Sequence, residues 1–141
     1  MKSLPIFIDK DGRWYHEGIE ITHERLYLYL NECLDIDGEG GYSLKTGGNI
    51  YRIEVEDAPF VVKKIRYEEE NFILTLNGNK EESLDLNSLN IRNNIPYCRV
   101  KNGRFIARFL RQSYLQLSKY IIEDEYGYYI PVNRDRYRIK I

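Results

Sequence analysis

The chain holds little of what metal or thiol chemistry needs. It has two cysteines, Cys33 and Cys98, and two histidines, His16 and His23. Two cysteines cannot build a disulfide framework, and these four residues fit no recognised zinc spacing. No metal centre and no cofactor are therefore expected. No run approaches the roughly 18 apolar residues of a membrane-spanning helix, and Met1 to Pro5 lacks the apolar core of an export signal. These absences predict a cytoplasmic protein with both thiols reduced and no membrane partner.

Catalytic signatures are equally sparse. No serine or cysteine has a nearby histidine to act as its base, so triad hydrolysis is not expected. Gly38, Gly40 and Gly41 are not followed by the Gly-Lys-Ser/Thr of a phosphate loop. Asp35-Ile36-Asp37-Gly38-Glu39-Gly40 begins like a calcium loop, but Thr46 stands at its twelfth position, where a bidentate glutamate is needed. An acidic turn is the expected reading. Glu54, Glu56 and Asp57 could do acid/base work if buried together. Glu54 and Glu56, however, share one strand face, which such alternation marks as solvated. The chain is expected to bind, not to catalyse.

What the chain has is tyrosine, 13 copies against five Phe and one Trp. Tyrosine suits half-buried sheet faces, with an apolar body and one polar tip. With 43% apolar and 30% charged residues, disorder is not expected, and 141 residues suffice for one compact domain or two small units. Charge divides by region. Residues 1–70 carry 9 basic and 15 acidic side chains, and residues 71–141 carry 12 and 7. Between Asp85 and Glu123 there is no carboxylate side chain, while Arg92, Arg99, Lys101, Arg104, Arg108, Arg111 and Lys119 lie there. That stretch would attract an anion, or the acidic first half.

Periodicity predicts strands at 4–9 and 13–17, then a helix capped by Thr22 whose stripe is Leu26, Leu30, Cys33 and Leu34. Strands are predicted at 42–46, 50–56, 60–67 and 71–76. A polar connection over 80–94 leads to a strand at 97–101 and a turn at Asn102-Gly103. A helix is then predicted over about 104–122, with Arg104, Arg108 and Arg111 gathered on its polar face. Strands at 128–132 and 136–141 close the chain.

Residues 41–55 align without a gap on residues 127–141. Gly41/Gly127, Tyr42/Tyr128, Tyr51/Tyr137, Arg52/Arg138 and Ile53/Ile139 are identical, and Leu44/Ile130 and Val55/Ile141 keep the apolar side. Such self-similarity records one supersecondary unit used twice. The expected fold is α+β: two copies of a strand–helix–hairpin unit with antiparallel sheets, residues 1–79 and 80–141, packed as one compact protein.

Several segments together resemble the bacterial domain of unknown function 1285 family. They are Asp11-Gly12-Arg13-Trp14, Gly18-Ile19-Glu20-Ile21, Gly41 to Thr46, and Ile53 to Phe60 with its Val-Glu-Asp-Ala-Pro-Phe run. Leu74 to Gly78, Pro96 to Val100, and Gly103 through Ala107-Arg108 to Arg111 and Tyr114 continue the match in order. The chain departs from the family pattern at Gly47-Gly48-Asn49 and in its last strand. The resemblance implies an internally duplicated α+β fold whose second unit is loosely pleckstrin-homology-like. It further implies a nucleotide-type ligand at the seam between units and a role in signal transduction.

The resulting expectation is a small anionic ligand held by Arg108, Arg111 and Arg104. Tyr97, Tyr114 or Trp14 would supply an aromatic wall, and Asn77 or Asp57 polar contacts. The alternatives are a protein-interaction adaptor using strand edges and tyrosine faces, and, further off, an enzyme built on the carboxylates. A net charge of −1 with one basic stretch gives little support for a nucleic-acid partner.

Overall fold

Alternating burial, the mark of strands with one face on a core, governs most of the chain. A computed structural model describes residues 2–141. The chain divides into a first unit ending at Pro59 and a second running from Phe60 to Ile141.

The first unit is one six-stranded sheet and a helix. Strands β1 (Lys2–Ile8), β2 (Trp14–His16) and β3 (Ile19–Glu20) form one meander, and β4 (Leu34–Ile36), β5 (Tyr42–Thr46) and β6 (Asn49–Val55) form another. The order β3-β2-β1-β6-β5-β4 joins them through a parallel β1–β6 pair. Helix α1 (Glu24–Cys33) supplies the crossover that a parallel pair requires. Its cap is His23, not Thr22: the His23 Nδ1 accepts the Leu26 N–H at 3.3 Å. Of the expected stripe, Leu30, Cys33 and Leu34 are buried while Leu26 stays exposed.

The second unit repeats that plan in its larger sheet. Strands β7 (Phe60–Glu68), β8 (Asn71–Leu76) and β9 (Glu81–Ser83) form one meander. A second comprises β10 (Asn90–Arg92), β11 (Ile95–Val100) and β12 (Phe105–Phe109). The order is β10-β11-β12-β7-β8-β9, and the first and last strands again pair in parallel, here β7 with β12. Neither large sheet is purely antiparallel, as had been expected. Helix α2 (Arg111–Ser118) follows, then a small antiparallel sheet of β13 (Ile122–Asp124), β14 (Gly127–Val132) and β15 (Asp135–Arg138).

Two expectations are corrected here. The helix over 104–122 is a strand followed by a shorter helix. Phe105, Ala107 and Phe109 are buried at every second position, and β12 continues the hairpin turned at Asn102-Gly103. A single helix would forgo this pairing with β11 on one side and β7 on the other. The boundary at 79/80 also fails, because β7 and β8 belong to the same sheet as β10–β12. Phe60 and Phe105 meet edge-to-face on the buried side of that sheet, with centroids 5.2 Å apart. Each such ring contributes about 1.5–3 kcal/mol on leaving water.

The aligned segments 41–55 and 127–141 have matching registers. Ser43↔Arg52, Leu44↔Tyr51, Lys45↔Ile50 and Thr46↔Asn49 in β5–β6 correspond to Tyr129↔Arg138, Ile130↔Tyr137, Pro131↔Arg136 and Val132↔Asp135 in β14–β15. Each segment follows a helix and a short leading strand.

Candidate functional site

Register decides which of the expected residues meet. Tyr97 of β11 lies opposite Arg108 of β12, and Arg108 lies beside Val61 of β7. Paired residues share a face, as do i and i+2 along one strand. Tyr97, Arg99, Ile106, Arg108 and Val61 therefore occupy one face of the sheet, together with Asn90 and Arg92 of β10. The opposite face carries Cys98, Val100, Phe105, Ala107 and Phe109, all buried. Asn77 belongs at the edge of this arrangement, where its buried Oδ1 accepts the Val61 N–H at 3.0 Å.

The other expected residues are dispersed. Arg104 ends the β11–β12 turn, with its guanidinium 5.2 Å from the Phe105 ring centre. Arg111 is the exposed first residue of α2, and Tyr114 lies one turn further on. The three arginines that were to share a helix face thus occupy a turn, a strand and a helix start. In the first unit, Trp14 is fully buried in β2 opposite Ile8, and its indole N–H has no hydrogen-bond partner among the described residues. Asp57 is exposed just after β6. Glu54 and Glu56 are exposed too, and Glu56 accepts the Lys10 backbone N–H at 3.0 Å. Asp35, in β4, ion-pairs with Lys45, and Asp37, at the start of the acidic turn that follows, with Arg52. Among the described residues no cluster of three metal-ligating side chains occurs.

What strand alternation adds is Arg92 and Arg99. Arg92 stacks over Tyr97, with 4.1 Å from its guanidinium carbon to the ring centre. Arg99 donates to the Gly103 carbonyl at 3.4 Å. Both are exposed, while the Tyr97 ring is buried. Reading 97–101 as a strand put Tyr97 and Arg99 on one side. Adding Arg92 required β10, which the polar composition of 80–94 conceals.

The second unit also contains a cavity of about 460 Å³. Ile91, Ile121, Ile141, Tyr114 and Tyr128 supply its apolar walls, and Asn93, Asn94 and Ser118 its polar groups. Of the expected ligand-binding residues only Tyr114 lines it, and no arginine does.

Neither a family model nor a curated protein matches the chain. Solved structures do. A DUF1285 family protein from Silicibacter pomeroyi DSS-3 superposes with a TM-score of 0.79, over 99% of this chain and 80% of its own, at 17% identity. A DUF1285 family protein from Shewanella baltica OS155 gives 0.70 over 82% and 91%, also at 17% identity. The fold is that of DUF1285 proteins. The DUF1285 resemblance in the sequence motifs and the DUF1285 fold in three dimensions therefore agree, the latter over nearly the whole chain. Among the described residues no helix is long and apolar enough to cross a membrane.

Proposed function

We propose that the chain is a DUF1285 protein of the cytoplasm that binds a small anionic, nucleotide-like ligand and performs no catalysis. One observation carries this reading: Arg92, Arg99 and Arg108 share a sheet face with Tyr97, inside a stretch free of carboxylate side chains. Guanidinium groups stay charged and fork onto phosphate oxygens, and a stacked Arg–Tyr pair offers a flat ledge to a base. The ordered motif resemblance and the shared fold support the family assignment. The matched registers of the two aligned segments support the reading that one helix–hairpin segment was used twice. A role in signalling follows from the family resemblance.

The test is a thermal-shift panel of nucleotides and pyrophosphate, followed by calorimetry on any hit. A ligand at 100-fold excess over its Kd stabilises by about 2.7 kcal/mol, a readily measured shift. Arg92→Ala with Arg99→Ala should abolish it, and Arg134→Ala, on a hairpin turn outside this sheet, should not. No shift with any anion, or a shift indifferent to the double substitution, rejects the proposal. An adaptor role is the second reading, favoured by Ile19, which is 75% exposed on the edge strand β3. Capture of one stoichiometric partner, insensitive to the arginine changes, would favour it.

A further inference from the structure

We infer that the 460 Å³ cavity of the second unit is a separate site for a neutral, planar ring bearing an adjacent hydrogen-bond donor and acceptor, the edge of a lactam. Its volume lies within the roughly 300–1,000 Å³ of small-molecule sites. Its lining selects against anions: among the described residues no charged side chain borders it, so an anion entering would shed water without gaining a counter-charge. Three isoleucines and two tyrosine rings favour a flat apolar body instead.

The polar groups define the edge of that body. Asn93 and Asn94 are consecutive, and no hydrogen bond within the described residues engages either amide side chain. Each amide offers a donor and an acceptor together, the complement of a lactam N–H and C=O. Ser118 already donates to the Leu115 carbonyl at 2.8 Å, which leaves its oxygen to accept. These groups are held in place. Asn93 and Asn94 form the two-residue turn between Arg92 and Ile95, both with positive φ, 52° and 66°. The chain end is tied to β10 by the Ile91 N–H, which donates to the Lys140 carbonyl at 2.7 Å, and this fixes the wall at Ile141. The arginines of the anion proposal stand on the other face of β10–β12 from Ile91, so the two sites are independent.

The experiment is a heteronuclear NMR titration of the full chain with carbostyril, a neutral bicyclic lactam, and with quinaldate, its carboxylate counterpart. Carbostyril should give saturable shifts at residues 91–94, 114–121 and 128, with at least tenfold weaker binding for quinaldate. Asn93→Gly with Asn94→Gly keeps the turn and removes both amides, and should weaken carbostyril at least tenfold. Ser118→Trp, which fills the cavity from an exposed helix position, should eliminate binding. No saturable shifts with carbostyril, equal affinity for quinaldate, or affinity unchanged in the double-glycine variant each overturns the inference. A pyrophosphate titration of the same sample reports on the anion proposal alone, so failure of one leaves the other readable.

Discussion

Arg138 grips Asp124 through two 2.7 Å hydrogen bonds, and Arg52, its aligned counterpart, ion-pairs with Asp37 at 3.6 Å. In both units the carboxylate also closes a turn, accepting from the Tyr126 N–H in one and from the Glu39 and Gly41 N–H groups in the other. The glycine at the end of the first turn leaves room for this carboxylate. A Cβ on Gly41 would lie 2.8 Å from the Asp37 carboxylate. The aligned Gly127 occupies the equivalent place with a φ of 125°, which a side chain would resist.

This clasp predicts acid sensitivity. The Arg138 hydrogen bonds, then the Tyr126 N–H, hold the Asp124 carboxyl down at about 2. Asp37 is lowered as well, chiefly by the Glu39 and Gly41 amides. An unfolded aspartate titrates near 3.9, so the folded state binds these protons less readily. The stabilisation is complete above about pH 4 and fades as the pH falls toward about 2. Melting curves should show Asp124→Asn slightly less stable than the parent at pH 7, since solvent screens the pair. The two should converge by pH 2. A parent protein whose melting temperature is flat over that window rules the clasp out as a stabilising device.

Cys98 should be inert. Burial pushes its thiol far above the usual range, and the charges of Glu82 and Asp85 add to this. The thiolate is the reactive form, so an alkylating reagent at pH 8 should leave Cys98 unlabelled in the native protein and label it on denaturation. Peptide mass spectrometry of the two samples decides it. Native labelling at a rate independent of added denaturant would mean the strand is open in solution.

The junction between β12 and α2 is held by Ser113, whose hydroxyl contacts the Val62 and Leu110 carbonyls at 2.7 and 2.8 Å. Ser113 is fully buried, but Val62 O also receives the Leu110 N–H at 3.0 Å. Ser113→Ala should therefore cost about 0.5–1.5 kcal/mol in urea unfolding, without an orphaned acceptor to raise it. Asn77→Ala should cost more, about 1–3 kcal/mol, because the buried Val61 N–H loses its acceptor. Equal losses at the two positions would contradict this order.

Strands whose partners are near in sequence were legible. The expected 42–46 and 71–76 match β5 and β8, and 60–67 stops one residue short of β7. Phe105 and Phe109 misled because i, i+4 spacing fits a helix and an alternating strand alike. Ala107, the residue between them that identifies a strand, is too small to register as apolar patterning. Deciding the matter takes β7, more than 40 residues upstream, which pairs with β12. The same long-range pairing moved the unit boundary from 79/80 to Pro59. For the site, Tyr97 lay on an expected strand while Arg108 was expected on a helix, so only the β11–β12 register brings the two together, and Arg92, Asn93 and Asn94 sit in a polar stretch where composition alone reads as loop.

That stretch contains the sharpest backbone prediction. Asn93 and Asn94 both have left-handed backbone in a two-residue hairpin loop, where strand twist favours the type I′ turn. Asparagine and glycine adopt such angles readily, but a β-branched residue crowds its own carbonyl, at about 1–2 kcal/mol. Asn94→Gly should thus leave urea unfolding nearly unchanged, and Asn94→Val should lose about 1–2 kcal/mol although position 94 is exposed. An exposed site elsewhere would tolerate valine within about 0.5 kcal/mol. The loss should appear with the denaturant slope unchanged, as the substitution acts on the folded turn. If valine proves as stable as glycine, the turn does not hold its left-handed form in solution, and the fixed amide edge inferred for the cavity goes with it.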